Sequence, residues 1–242
     1  MEQFKIRQNG FNEIRKGMLI KVVPILLLAA IVGIAISHFS SSGQESEVNI
    51  YPFLIPIVLL ALGFGIYQGI KRQKEIFESY RLIIDDNCII REQCNTQTIS
   101  ISIADISEIC KNSNGSLIIK GNSTVDVIVI PSQIDNFEKL EQLLSEMKCI
   151  SNKDKKTFLQ KYIGLFSILL PITTLGLMAI VYLCEDKIII SISGTLLLVI
   201  LAFSFFEIHR NKNIDNKTKR GSWWLILVVT SIMLILIYKI FG

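Results

Sequence analysis

Long apolar runs broken by one polar insert constrain this chain more than any other feature. Val22–Phe39 and Ile50–Ile70 precede the insert; Tyr162–Leu183, Ile188–Phe206 and Trp223–Phe241 follow it. A bilayer core about 30 Å thick takes about 20 apolar residues as helix, because backbone N–H and C=O groups must be satisfied within the segment. None of these runs holds Asp or Glu, and the one Lys or Arg among them, Lys239, lies near the end of the last, where it can snorkel. A chain of 242 residues that is 50% hydrophobic, with mean hydropathy +0.49, is too apolar for an ordinary soluble domain. The expected fold is a membrane α-helical protein of five transmembrane helices with an inserted α+β module. Its divisions are 1–74 (tail and two helices), 75–150 (module) and 151–242 (three helices).

Cation placement predicts the orientation. Lys5, Arg7, Arg15, Lys16 and Lys21 precede the first run, whereas the loop His38–Asn49 carries Glu45 and Glu47 and no Lys or Arg. The insert is flanked by Lys71, Arg72 and Lys74 on one side and by Lys153, Lys155, Lys156 and Lys161 on the other. Glu185-Asp186-Lys187 is poor in cations, and the next loop holds Arg210, Lys212, Lys217, Lys219 and Arg220. Of the 25 Lys and Arg, only Lys187 and Lys239 fall on the expected outer side. The amino terminus and residues 71–161 are therefore expected in the cytoplasm and the carboxyl terminus outside. The net charge of +4 reads as a targeting pattern and an attraction for anionic lipid, not as a nucleic-acid surface. The first run has a small-x-small site at Ala35-Ile36-Ser37, but its long leader contains Glu2 and Glu13, and we read it as a retained anchor.

Cys88, Cys94, Cys110 and Cys149 fall in the insert, where a reducing compartment disfavours disulfides, and Cys184 stands alone outside. No CxxC spacing occurs, so no zinc or redox motif is supported and no cofactor is expected.

From Tyr80 to Ile130 the periodicity becomes two-residue. Tyr80–Ile84 and Cys88–Gln93 flank the turn residues Asp85-Asp86-Asn87. Ile99, Ile101 and Ile103 alternate with Thr98, Ser100 and Ser102, the pattern of a half-buried antiparallel strand. Ile106–Lys111 and Ser116–Lys120 flank Asn112-Ser113-Asn114-Gly115, a hairpin turn whose Asn and Gly tolerate positive φ. Val125–Ile130 ends at Pro131, which cannot donate to a ladder. Asp135 with Glu138 reads as a capping box, and Phe137, Leu140, Leu143, Leu144 and Met147 then form one apolar helical stripe. Six strands and a helix that plugs the mouth of a bent sheet are expected.

Tyr80–Lys148 resembles the pleckstrin-homology-like modules of small bacterial membrane proteins, through "YRLIID", "TISISIADISEI" and "IPSQIDNFEKLEQLLSEM". The resemblance implies an antiparallel β-barrel or sandwich capped by a C-terminal helix, a non-catalytic platform for proteins, peptides or lipids, and a place in a bacterial inner membrane. Two departures stand out: six strands where seven are usual, and Asp85 and Asp86 at a hairpin tip that lacks the Lys/Arg cluster of a phosphoinositide pocket.

Candidate sites are few. With the first hairpin centred on Asp86, Arg81 and Arg91 face each other, and two opposed cations repel unless an anion sits between them. They are the candidate anion or headgroup site, set against two solvated arginines or a pairing with Glu92 or Asp85. His38 and His209 are separated by the expected membrane and cannot share a metal. Thr173, Thr174, Ser191, Ser193, Thr195, Thr230 and Ser231 could line a path for a neutral solute, although such hydroxyls more often bond the backbone. Pro24, Pro52, Pro56 and Pro171 are expected to kink or loosen their helices. Gly65 and Gly69, like Ala29 and Gly33, permit close helix packing within the chain or in a homodimer. Lys219, Arg220, Trp223 and Trp224 read as a membrane anchor, because indole favours the headgroup zone.

The leading expectation is a non-enzymatic membrane protein, partnered by the lipid bilayer and by a protein docked on the module. The alternatives are a transporter or channel component regulated by the module and, last, an enzyme using Glu207, His209 or Asp186.

Overall fold

The computed structural model describes residues 1–41, 51–123, 126–152 and 158–241, with backbone alone at 40–41, 51, 152 and 158–168. Glu45, Glu47, Ile50, Val125, Lys153, Lys155 and Lys156 lie outside the described residues, as do the side chains of Lys161 and of the start of the Tyr162–Leu183 run. The chain divides into two compact units, each drawn from three stretches of sequence.

The first unit joins Met1–Lys16, Ile70–Leu159 and Ile208–Gly221. One sheet is antiparallel throughout, in the order β1 (Glu2–Lys5), β2 (Arg81–Ile84), β3 (Cys88–Glu92), β4 (Ile99–Ser102). The other runs β7 (Val127–Ile130), β6 (Leu117–Lys120), β5 (Glu108–Lys111), β8 (Ile150–Asn152), with β8 parallel to β5. The expected strands are β2 to β7; β1 and β8 are additions. β1 is mostly polar, and only Phe4 of its four residues is buried, so alternation over so short a run carries little signal.

Alternation places the core. Ile99 and Ile101 are buried while Ser100 and Ser102 are exposed, and Ile103 passes into a short 3-10 turn. The Asn112–Gly115 hairpin forms as expected: Gly115 sits at φ 80°, and Asn114 Oδ1 accepts from the Ser116 N–H and hydroxyl. Helix α3 (Phe137–Met147) buries Leu140 and Leu144 completely. These leucines join Leu82, Ile89, Ile109, Leu117, Ile119, Ile128 and Ile130 in one cluster drawn from both sheets. Each such side chain contributes about 1.5–3 kcal/mol by leaving water. The expected capping box is not formed. The N-cap is Asn136, at φ 53° and without a side-chain cap bond, and the Asp135 N–H that Glu138 would accept in a capping box is given to the Lys5 carbonyl of the β1 segment.

The second unit joins Gly17–Gly69, Gln160–Glu207 and Ser222–Gly242. Helices α1 (Gly10–Ser41) and α2 (Tyr51–Glu78) are each continuous and contribute residues to both units. Their ends supply Phe11 and Ile76 to the interior of the first unit, with the Phe11 and Phe77 rings 6.1 Å apart. α4 (Phe158–Leu183), α5 (Lys187–Arg210), the short α6 (Asn216–Gly221) and α7 (Trp224–Phe241) follow. Four described helical stretches are long and apolar enough to cross a membrane: Gly10–Phe39, Pro52–Glu78, Lys187–Arg210 and Asn216–Phe241. The stretch of α4 with described side chains, Leu169–Leu183, is apolar but shorter. Pro24, Pro56 and Pro171 lie inside helices that continue through them, and Pro52 falls in the first turn of α2, where its missing N–H has no intrahelical partner to lose.

α4, α5 and α7 pack through Val181, Ile190, Leu197, Ile232 and Leu236. A Cβ built on Gly194 would lie 2.4 Å from a Leu236 methyl, so glycine is what permits this approach. Lys239 does not simply reach toward water. Its ammonium donates to the Tyr182 and Cys184 carbonyls (2.7 and 2.8 Å) at the end of α4, where the helix dipole favours a cation. Lys187 in turn donates to the Ile240 carbonyl (2.9 Å). Asp186 caps α5 by accepting from the Ile188 and Ile189 N–H groups.

Candidate functional site

The β2–β3 register separates the arginine pair. Arg81 stands opposite Glu92, and Arg91 opposite Leu82, so the hairpin is centred between Asp86 and Asn87 rather than on Asp86. Strand side chains alternate faces, so this small shift puts the two arginines on opposite sides of the sheet. Arg81 is exposed; Arg91 is 2% exposed. The expected face-to-face pair does not exist.

Arg81 instead stands in a cross-strand row, Lys5–Arg81–Glu92, on the solvent face. This row lines a groove of about 380 Å³ with Glu78, Ser79, Gln93, Cys94 and Thr98. Its walls are tied to the end of α2: the Ser79 hydroxyl and the Gln93 amide both donate to the Ile76 carbonyl, and the Cys94 N–H donates to Ser79 Oγ. Two cations, Lys5 and Arg81, and two carboxylates, Glu78 and Glu92, line the groove, so it offers both charges beside hydrogen-bonding groups.

Arg91 has a different role. Nη1 donates to Gln93 Oε1 (2.9 Å), and Nη2 donates to the carbonyls of Gln97 (2.8 Å) and Lys212 (3.4 Å). Nε is buried with no partner among the described residues. Burial holds this guanidinium below its usual basicity, partly opposed by the nearby Tyr80. Tyr80 is raised by the same burial, and its hydroxyl donates to the Val129 carbonyl (2.9 Å).

The Lys212 contact introduces residues that sequence reasoning treated only as a cation-rich loop. Lys212 pairs with Asp126 (2.7 Å), the Asn213 amide donates to the Val127 carbonyl (3.0 Å), and the Asn216 N–H donates to the Asn95 carbonyl (2.7 Å). Asp215 pairs with Arg72 and accepts from the backbone N–H groups of Lys217 and Thr218 and from the Thr218 hydroxyl. Burial raises the Asp215 carboxyl, but the bonds from Thr218 and Arg72 outweigh it and leave the group more acidic than usual. A usable signal was present: Asp215 is the one acid among Arg210, Lys212, Lys217, Lys219 and Arg220, and Thr218 stands three residues after it.

Comparison with protein-family models, curated proteins and solved structures finds no match.

The remaining sequence candidates make separate local contacts. Trp223 and Trp224 are exposed, and Trp223 meets Phe205 edge to face at 5.8 Å; Lys219 and Arg220 end α6. A Cβ on Gly65, Gly69 or Gly33 would meet nothing within 4 Å, so no described residue packs on these glycines; the close helix contact is at Gly194. Thr174 and Thr230 hydroxyls donate to carbonyls four residues earlier, and Tyr182 Oη lies 3.3 Å from Ser231 Oγ. His38 stacks edge-on beside Phe39. Among the described residues no cluster of His, Cys, Asp and Glu could hold a metal ion, and the described cysteines are free thiols.

Proposed function

We propose that this is a five-span inner-membrane protein of bacterial type whose three cytoplasmic segments build a pleckstrin-homology-like platform for a protein partner at the membrane surface. The observation that carries this reading is the three-segment first unit. Residues 1–16, 70–159 and 208–221 fold together, so they must share one side of any membrane the helices cross. α1 and α2 separate the first two segments, which an out-and-back pair of crossings satisfies. Between the second and third, the span of α5 needs a companion, and α4 is the apolar helix available. The Lys/Arg bias makes the shared side cytoplasmic.

Part of the strand order supports the pleckstrin-homology-like reading. β1 supplies a seventh antiparallel strand, giving β1–β4 in one sheet, β5–β7 in the other and α3 after them, while the parallel β8 is one strand more than the usual seven. In this view the α1–α2 hairpin is an insertion between the first two strands of the module.

Surface chemistry supports a reversible protein contact. Among the described large apolar side chains of the first unit, only Met1 and Val129 are exposed. A partner must therefore dock largely through polar groups, and the Lys5–Arg81–Glu92 groove offers both charges. Transport, the second reading, draws no support from Thr174 and Thr230, whose hydroxyls are engaged with their own helices. The test is crosslinking and co-purification from native membranes with the wild-type chain and with Lys5→Glu/Arg81→Glu. Loss of a partner from the variant at unchanged expression supports the platform. A variant lacking Tyr80–Lys148 that keeps every partner refutes it.

A further inference from the structure

We infer that residues 211–218 form a releasable strap on the first unit, held by charge pairs and hydrogen bonds and opening independently of the core beneath it. The segment reads Asn-Lys-Asn-Ile-Asp-Asn-Lys-Thr, with Ile214 its one apolar side chain. Ile214 is half-buried and lies outside the hydrophobic cluster of the two sheets, whereas β1 inserts Phe4 into it. Nothing greasy anchors the strap.

Its fastenings are polar. Lys212–Asp126 is about one-third exposed on both sides, Arg72–Asp215 is about one-third exposed at the arginine and buried at the aspartate, and Asn213 and Asn216 each contribute one hydrogen bond to the module. Part-exposed ion pairs contribute little each and weaken as salt screens them. A hydrogen bond that water can replace is also worth little net.

Arg91 gives the strap one long hydrogen bond, from Nη2 to the Lys212 carbonyl (3.4 Å), but at a cost in desolvation. The strap's Lys212 carbonyl helps seal a guanidinium that has no carboxylate partner among the described residues and an unpartnered Nε. Removing a charge from water without a counter-charge is unfavourable, so lifting the strap returns solvation to Arg91 and offsets part of what the fastenings supply. Segments with few apolar contacts and replaceable hydrogen bonds are the ones that open first. Release uncovers Arg91 on β3, the Asn95 carbonyl in the loop after it, and Asp126 with the Val127 carbonyl at the start of β7.

Hydrogen exchange on the full chain in lipid nanodiscs tests this. The Asn216 amide, which donates to the Asn95 carbonyl of the module, should exchange at least about tenfold faster than the amides of β2 and β6. Raising salt from about 20 mM to about 500 mM, or introducing Asp126→Asn, should speed the strap amides roughly two- to fivefold and leave β2 and β6 unchanged. If Asp126→Asn fails to fold, Lys212→Met removes the same pair from the strap side. Strap and core amides exchanging at one common rate, at both salt levels and in the variant, would overturn the inference by making the segment an integral part of the core.

Discussion

Phe4→Ala is the sharpest perturbation of the first unit. If residues 1–16 were only a topogenic tail, truncating Phe4 would change nothing. In the structure Phe4 stands opposite Leu82 on β1, is 5% exposed and belongs to the cluster shared by both sheets and α3. Buried Phe→Ala changes cost about 3–5 kcal/mol through lost transfer energy and the cavity left behind. β1 is an edge strand and can settle partly into the gap, which places the expected cost near the lower end, about 3 kcal/mol. At about 1.4 kcal/mol per tenfold, that raises the open population of the unit roughly a hundredfold. Hydrogen exchange at β2 and β6, or pulse proteolysis of the chain in nanodiscs, reads this directly. Lys5→Ala, one residue on and exposed, is the control and should stay within about 0.5 kcal/mol of wild type. Equal behaviour of Phe4→Ala and Lys5→Ala would refute the placement of β1 in the module.

Gly194→Val should weaken α5–α7 packing by about 1–3 kcal/mol, since even a Cβ meets Leu236 at 2.4 Å; pairing it with Leu236→Ala should recover part of the loss in detergent unfolding. Lys239→Met removes two charge-assisted bonds to the end of α4 and should lower resistance to detergent unfolding by about 1–3 kcal/mol. Asp215 is more acidic folded than unfolded, so its contribution is present above its unfolded pKa and is lost as pH falls through the folded one. Acid should therefore speed exchange at Lys217 and Thr218 beyond the intrinsic pH trend, and Asp215→Asn should abolish that excess. Glu108 is held down to about 2 by bonds from Cys110 and Lys120, so its share of β5–β6 stability should persist until pH drops below about 4. Thermal unfolding across pH 2–5 with Glu108→Gln checks this.

The elements legible in the sequence were those with a strong period. The long apolar runs became helices, and isoleucines at alternate positions marked β4 because one face had to be buried. The Asn112–Gly115 turn was legible because few residues accept its backbone. β1 was not, for a physical reason: Glu-Gln-Phe-Lys has one buried side chain, and its partner β2 lies beyond two long apolar helices, so nothing local specifies the pairing. The strap was hidden for the same reason: its fastenings are single polar contacts to distant segments. Arg81 and Arg91 were misplaced through the hairpin centre alone. Alternation amplified that small error into opposite faces, turning an expected surface pair into one groove cation and one buried cation. Apolar patterning determines which residues leave water, but long-range register and polar closure depend on partners that the local sequence does not name.

Native cysteines offer the most direct test that the three segments of the first unit share one side of the membrane. Cys94 and Cys149 are exposed on that unit, Cys184 lies in the α4–α5 turn, and Asn12→Cys adds an exposed reporter on the amino-terminal segment. With single-cysteine variants and a membrane-impermeant maleimide added to intact cells, the account predicts labelling at residue 184 only. Residues 12, 94 and 149 should react together once the membrane is opened. Residues 12 and 94 reacting from opposite sides would contradict the three-segment domain and the platform built on it.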